Sequence, residues 1–395
     1  MNLRKLHVMY RPRIIRLIII FFSIKLFVTL ITFIFFSVGC DGTNVNTGWR
    51  NGVITLLEKK LRRPLQHAVC LLHINELPLR HLIIAMDGPT TGVSSFSGPI
   101  GKEIQTCHEM EPVSFEAIKN SNFPSVPESV ISKLSNDQRY ILEITYAVMN
   151  GSVSERLKKL KPGPVNHSRW LTTASRILRY YVSVRAPSVA LKRISFYIVH
   201  IYVPIWFCIK KNELIHHGAK HFLKLVSLCN SLLTADEKSV VFPVLKQNAY
   251  YAHSENILVS MLSEENLEIR MKAYDIIRND RAIRLDPDVP EVRTYKNPAI
   301  TCRESNYDDM IRQNEMLYQP PVVRDIPLNI LRIMIDGGPM VFDFPCHSQN
   351  VEAIVQCHTK VSLKASGALR RDGYMRTTLS SRSVMPSFKS KRDFN

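Results

Sequence analysis

Three side chains that could take part in chemistry lie close to two apolar runs. Asp41 follows the run 33–39, while Cys70 and His73 lie within and just after the run 68–72. An acid at the end of a strand, followed by small turn-forming residues, places its carboxylate in an open crevice at a sheet edge. The pattern therefore predicts that Asp41 and His73 share one edge of one sheet.

Cysteine and histidine also occur as pairs, and zinc binds thiolate and imidazole together. The pairs are Cys107-His108, Cys346-His347, Cys357-His358 and the Cys70-x-x-His73 spacing. No paired C-x-x-C or H-x-x-x-H arrangement accompanies them, which disfavours a zinc site. The eight cysteines are scattered along the chain without a compact framework, and this indicates reduced thiols and an intracellular protein.

The segment between the two runs must position these side chains. It is amphipathic at helical spacing and basic at its end, and Pro64 stops it. Its apolar positions are Trp49, Val53, Leu56, Leu57 and Leu61. The order predicts strand, helix and strand, which in a parallel unit are joined by a right-handed crossover.

Both motifs resemble a known family. The stretches Cys-Asp-Gly-Thr-Asn-Val-Asn-Thr-Gly at 40–48 and Cys-Leu-Leu-His-Ile-Asn-Glu-Leu at 70–77 are similar to the signature of hAT-superfamily transposases. They are closer still to uncharacterised, transposon-derived animal proteins. The resemblance implies a ribonuclease H-like core in which Asp41 is the second of three metal-binding carboxylates. The family motif gives Cys70 and His73 no agreed catalytic role, and their position at a strand-to-helix turn predicts a structural motif that satisfies backbone groups near the acid.

Two further stretches resemble parts of the same family. Glu352 stands where the family places its third carboxylate in a Ser-x-x-x-Glu-Arg context, although Ala353 replaces the usual arginine. Arg169-Trp170 resembles the Arg-Trp motif of the helical insertion, whose tryptophan stacks on a flipped base of nucleic acid. From the residues alone, an exposed acid on an amphipathic helix and a tryptophan in a helical core explain the same positions.

The resemblance implies Mg²⁺-dependent strand transfer, which needs three carboxylates around two metal ions. Residues 1–40 contain no aspartate or glutamate, so the first carboxylate is absent. We therefore expect a degenerate or domesticated hAT-like transposase fragment without catalysis, a pseudoenzyme that retains nucleic-acid binding. Mg²⁺ is expected only if activity is retained, with Asp41 and Glu352 as its ligands.

The expected fold class is α/β plus all-α, with a partial ribonuclease H-like sheet interrupted by a large helical insertion and preceded by a hydrophobic helix or strand. The predicted regions are a basic and hydrophobic N-terminal segment, a partial core, an all-α insertion, an irregular connection, a return to the core with an acidic helix, and a basic tail. Their bounds are 1–32, 33–106, 107–282, 283–339, 340–366 and 367–395. Within the insertion, the proline-containing residues 107–134 are predicted to be a linker, and Ser135 or Asn136 is predicted to cap a helix with apolar residues at helical spacing. Further helices are expected at about 212–233, 254–263 and 265–281.

The N-terminal region has two competing interpretations. Residues 17–39 are almost wholly apolar and follow an arginine-rich start, which predicts a single-pass membrane anchor with a cytoplasmic N-terminus. If residues 33–39 instead form a buried strand, residues 1–32 have replaced the true upstream half of the core as a gene-model artefact, and a nuclear location is expected. The alternative function is therefore a single-pass membrane protein with a basic interaction domain and no catalysis.

Charge is the strongest global signal. The 395-residue chain has a formal net charge of +18, which suits a polyanion such as DNA or an anionic membrane surface. Two glycosylation sequons, at Asn150 and Asn166, would separate the membrane interpretation from the nuclear one.

Overall fold

A computed structural model describes residues 37–40, 42, 44–48, 52–61, 66–92, 95–164, 170–284, 298–314, 323, 326–342 and 346–347. All of these residues belong to the first of the chain's two units, Met1–His347. About 65% of the described residues are helical.

Strands form a very small part of the described residues. β1 (Ser37–Cys40) pairs in parallel with β2 (Gln66–Val69), and β3 (Thr90–Gly92) pairs antiparallel with β4 (Ser95–Phe96). These are two separate two-stranded pairs, and no larger sheet is found in the described part of the chain. The prediction of a ribonuclease H-like sheet, even a partial one, is therefore wrong.

Sixteen α-helices are described, and the first ten precede residue 212. They are α1 (Asn44–Thr47), α2 (Val53–Leu61), α3 (Leu71–Asp87), α4 (Pro99–Glu103), α5 (Glu128–Ile131), α6 (Asn136–Asn150), α7 (Glu155–Lys159), α8 (Trp170–Tyr181), α9 (Val189–Tyr197) and α10 (Val203–Lys211). The remainder are α11 (Gly218–Leu232), α12 (Ala235–Gln247), α13 (Ser254–Leu262), α14 (Leu267–Arg284), α15 (Tyr307–Arg312) and α16 (Leu328–Asp336).

Helix α3 explains part of the error in the predicted sheet. The run 68–72 was expected to be a strand, but β2 ends at Val69 and α3 begins at Leu71. Leu71, Leu72 and Ile74 are buried together with later positions of the same helix, so these residues follow a helical period. Because a short apolar run fits a strand or a buried helix equally well, this boundary could not be fixed from the run alone.

Capping residues define two of the longer helices. Ser135 caps α6 with a reciprocal capping box to Gln138, which confirms the helix start expected there. Thr234 caps α12 in the same way with Glu237. This second helix was not predicted, because Pro243 interrupts the apolar pattern that the Thr-x-x-Glu signature opens.

α9 and α10 are joined by a wider π-helical turn, Ile198–Tyr202, into one continuous helix, Val189–Lys211. Pro204 lacks the N–H that would continue the regular hydrogen-bond ladder. Two side-chain amides bond carbonyls of this turn: Asn75 donates to Tyr202 O at 3.0 Å, and Asn120 donates to Val199 O at 3.0 Å. Partners outside the helix therefore stabilise its irregular turn.

The same helix is the one described helix that is long and apolar enough to cross a membrane. Of its most apolar stretch, 72% is buried inside the protein. The buried central helix of a folded core has the same length and apolar composition, so this helix is weak evidence for a membrane span. The apolar N-terminal run through residue 36 lies outside the described residues.

One hydrophobic core connects the described helices, and its buried residues extend from Val69 to Cys346. Residues 111–127, between α4 and α5, have little regular secondary structure, and Phe115, Ile118 and Phe123 pack against this core. Val113 N donates to Val182 O at 2.9 Å, and Ile118 N donates to Val148 O at 3.1 Å. Backbone hydrogen bonds thus attach this connection to the helices that follow it.

Candidate nucleic-acid interface

The first sequence motif and the Cys-x-x-His motif meet at Gly42. A Cβ atom built on Gly42 would lie 2.7 Å from His73 Cδ2 and 3.4 Å from Val69 Cγ1. A larger residue at position 42 would therefore require the His73 ring to move, where the loop after β1 passes over the first turn of α3. Asp41, the acid predicted for this edge, lies outside the described residues.

The motif at Cys70 is also joined to the Cys346-His347 pair. Leu71 N donates to Cys346 O at 2.9 Å, and Cys346 N donates to Glu213 O at 2.8 Å. The His347 Nε2 atom lies 3.1 Å from Glu213 Oε2. Two of the four cysteine–histidine pairs that the sequence contains therefore occupy one neighbourhood.

The electrostatics of this neighbourhood are those of a folded interior. Burial raises the pKa of the Cys346 thiol well above its usual range, and the nearby Cys70 thiol adds to the effect. The hydrogen bond with His347 lowers the pKa of Glu213, while burial lowers the pKa of His347. Glu213 is therefore ionised and Cys346 protonated at neutral pH.

Metal ligands are not brought together in the described part of the chain. No group of three or more His, Cys, Asp or Glu residues is arranged there to hold a metal ion. Asp41 and Glu352, the two acids that the transposase resemblance assigns to Mg²⁺, both lie outside the described residues. The structure therefore leaves that assignment as a prediction.

Trp170 is the first residue of α8 and belongs to the hydrophobic core. Its side chain is 7% exposed, so protein atoms cover most of the indole ring in this conformation. Arg169, its partner in the Arg-Trp motif, lies outside the described residues.

Arg176 of α8 is buried and bonds backbone carbonyls from two other segments. Its Nε donates to Gly163 O at 2.7 Å, and its Nη1 donates to Ile104 O at 2.8 Å and Gln105 O at 2.9 Å. The planar guanidinium presents five N–H donors in a fixed fork, whereas a lysine has three donors on a single nitrogen, so arginine suits this spread of acceptors better. This side chain therefore holds α8 against the end of α4 and the stretch before residue 164.

Arg179 lies one turn further along α8 and is 1% exposed. Its Nη2 donates to Met110 O at 3.0 Å and Lys158 O at 3.2 Å, and neither it nor Arg176 bonds a carboxylate among the described residues. Burial raises the pKa of the neighbouring Cys107 thiol to about 11, against the opposing effect of both guanidinium groups. The two arginines are structural cations of the interior.

An exposed group of basic residues lies next to these arginines, and we call residues 155–161 the basic segment. It contains one acid, Glu155, and four cations, Arg156, Lys158, Lys159 and Lys161. Arg156 pairs with Glu143, and Lys158 pairs with Glu155 at 2.5 Å. Lys159 and Lys161 are exposed and have no ion pair in the part of the chain that the structure describes.

A second cationic site, the lysine pocket, lies between the stretch 129–134 and the end of α10. Its cavity has a volume of about 210 Å³ and is lined by Ser129, Lys133, Leu134, Lys210, Lys211 and Glu213, among others. Lys210 Nζ lies 3.5 Å from Glu213 Oε2. The carboxylate therefore contacts Lys210 on one side and His347 on the other.

The sequence interpretation missed both cationic sites as local features. Lys210-Lys211 closes an apolar helix, and basic residues in a last helical turn are ordinarily explained by the helix dipole. Lys133 lies in a stretch that was interpreted as a connection. Their meeting depends on tertiary packing, for which the sequence offers no local signal.

Comparisons with known proteins add no identity. No protein-family model, curated protein or solved structure matches the chain.

Proposed function

We propose that this chain is a nucleic-acid-binding protein without transposase activity. The basic segment is the observation that supports the proposal most directly. Two of its four cations, Lys159 and Lys161, are exposed and have no ion pair among the described residues, within a chain whose net charge is +18. Such a cationic surface suits the phosphate backbone of DNA or RNA.

The way the basic segment is held supports its role as a binding surface. Arg179 bonds the carbonyl of Lys158, and Arg176 bonds those of Pro162 at 3.4 Å and Gly163 at 2.7 Å. Buried side chains therefore fix the backbone while Lys159 and Lys161 extend into solvent. A preorganised surface loses less conformational entropy on binding than a free loop does.

The test measures binding to duplex DNA by fluorescence anisotropy at several salt concentrations. The double variant Lys159→Glu/Lys161→Glu should bind more weakly, and its log K against log salt slope should be shallower by about 1.8, since each neutralised phosphate contributes roughly 0.9.

The matched control is Lys119→Glu/Lys246→Glu, which changes two exposed lysines outside the basic segment by the same charge. Equal losses of affinity in the two double variants would mean that net charge, and not the basic segment, governs binding. The absence of any salt-sensitive binding would contradict the proposal as a whole.

The proposed lack of catalysis is argued from residues 1–40, which contain no aspartate or glutamate. The two carboxylates of Asp41 and Glu352 without a third should bind Mg²⁺ poorly. The purified chain should therefore not nick supercoiled DNA in the presence of Mg²⁺. Nicking that Asp41→Ala abolishes would show that a working metal site exists.

The alternative, a single-pass membrane protein, rests on the apolar run 17–39 of the sequence, whose last three residues belong to strand β1 in the structure. Asn150 is the last residue of α6, is exposed, and begins the Asn-Gly-Ser sequon. A non-cytoplasmic body would place this asparagine within reach of glycosylation. A glycosidase-sensitive mobility shift, lost in Asn150→Gln, would favour the membrane protein, whereas a nuclear tagged chain would favour nucleic-acid binding.

A further inference from the structure

The lysine pocket brings together cations from parts of the chain that are far apart in sequence. Lys133 comes from the turn before α6, and Lys210 and Lys211 come from the last turn of α10. The helix dipole accounts for lysines at the end of α10. It does not account for a third lysine, from another segment, on the same cavity.

Charge in the pocket is unbalanced. Three lysines line the cavity with one acidic residue, Glu213. Lys133 and Lys211 are exposed, and neither has an ion pair among the described residues. Like charges around a concave surface raise the local positive potential, which favours an anion in the cavity.

One residue of the pocket, Glu213, is held in place by contacts with the protein interior. Glu213 contacts Lys210 at 3.5 Å and the buried His347 side chain at 3.1 Å, and its own carbonyl accepts a hydrogen bond from Cys346 N. Because Glu213 is held from the protein interior, it positions Lys210, whose side chain is 18% exposed. The carboxylate itself repels an anion, so the arrangement leaves Lys133 and Lys211 as the unpaired charges.

The size of the cavity limits the ligand. About 210 Å³ is far more than the roughly 10–15 Å³ that one water requires. It is less than the roughly 300–1,000 Å³ of pockets that enclose drug-sized molecules. A phosphate group with part of its ester substituent is of suitable size.

We propose that the lysine pocket binds the phosphate group of a phosphate monoester. Lys133 and Lys211 supply the main charge partners, Lys210 supplies a third, and the Ser129 hydroxyl donates a hydrogen bond. The monoester has two sources, a free mononucleotide or the 5′-phosphate at a nucleic-acid end. This site is separate from the basic segment, so it does not depend on nucleic-acid binding there.

The test is isothermal titration of the full chain with three probes: a nucleoside 5′-monophosphate, a 5′-phosphorylated oligonucleotide and the same oligonucleotide with a 5′-hydroxyl. We expect saturable one-to-one binding of the monophosphate, weakened at least about tenfold in Lys133→Met/Lys211→Met through loss of two charge-assisted contacts. Ser129→Ala should have a smaller effect. Tighter binding of the phosphorylated than of the hydroxyl oligonucleotide would identify the nucleic-acid end as a source.

Lys119→Met/Lys246→Met serves as the matched control, because it removes the same charge from exposed positions outside the pocket. Circular dichroism of each variant establishes that it is folded. Failure of the monophosphate and the phosphorylated end to bind the folded chain in a saturable way would overturn the proposal. Equal weakening in the control and pocket variants would overturn it too, and Lys159→Glu/Lys161→Glu, which tests the basic segment, should leave monophosphate binding intact.

Discussion

Two sets of cations in this protein differ in their partners. Arg176 and Arg179 are buried in the interior and donate hydrogen bonds to backbone carbonyls of other segments. Lys133 and Lys211 are exposed on the lysine pocket and have no ion pair among the described residues. The charges have the same sign, but the first pair joins segments of the fold while the second leaves its charge available to a ligand.

The difference follows from side-chain chemistry. A guanidinium group has five N–H donors in one plane, so several backbone carbonyls can bond it at once, as they do at Arg176. An ammonium group is more strongly hydrated and remains favourable at the surface. We infer that loss of a buried arginine affects stability, whereas loss of a pocket lysine affects binding.

The largest effect is expected for Arg176→Met. This change leaves the buried carbonyl of Ile104 and the partly buried carbonyls of Gln105 and Gly163 without the Arg176 donor, so the free energy of unfolding should fall by about 3 kcal/mol. Urea unfolding followed by circular dichroism measures the change. Arg156→Met changes an arginine whose side chain is 63% exposed and should lower the free energy of unfolding by less than about 1 kcal/mol. Equal losses of stability in the two variants would show that burial of Arg176 has no special effect on stability.

A smaller effect is expected when pH forces a charge on a buried histidine. His221 is buried, its Nε2 lies 2.9 Å from Asn212 O, and burial lowers its pKa from 6.5 to about 4. Between these two values the unfolded chain binds a proton that the folded chain does not, so stability falls as pH falls from about 6.5 to about 4. Near pH 5 the low pKa of His221 reduces the free energy of unfolding by about 2 kcal/mol relative to neutral pH.

The measurement is the unfolding free energy of the native chain and of His221→Gln across this pH range. Glutamine keeps an N–H donor for Asn212 O but does not titrate, so the variant should show a weaker pH dependence. Parallel curves for the two proteins would show that His221 does not bind its proton in the expected range.

The smallest effect on stability is expected for Lys133→Met/Lys211→Met. Because both lysines are exposed, the unfolding free energy should change by less than about 0.5 kcal/mol. Reduced repulsion within the pocket favours a slight gain. A loss as large as that of Arg176→Met would mean that these lysines support the fold rather than a ligand.

Local signals predicted the helices better than the sheet. Ser135 and the apolar spacing after it gave α6 correctly, because capping and periodicity act within one helix. The Thr234–Glu237 capping box offered an equally local signal for α12, but Pro243 obscured it. A strand needs partners from elsewhere in the chain, and such partners cannot be read from one apolar run.

The cationic sites show the same limit at the level of the tertiary structure. Arg176 and Arg179 lie on a helix whose other residues are almost all buried, and this pattern could have marked them as interior cations. The lysine pocket had no comparable signal, since Lys133 and Lys210 are brought together only by folding. Asp41, Glu352 and Arg169 lie outside the described residues, so their assigned roles stay predictions.

The π-helical turn Ile198–Tyr202 determines the direction in which the end of α10 faces. One residue of an α-helix corresponds to a rotation of about 100° around its axis. Removing a single residue from this turn to restore the regular ladder would rotate Lys210 and Lys211 by that angle relative to α9. The position of Lys210 and Lys211 opposite Lys133 thus depends on one extra residue in a turn about two helical turns away. The side-chain amides of Asn75 and Asn120 stabilise that turn through hydrogen bonds to its carbonyls.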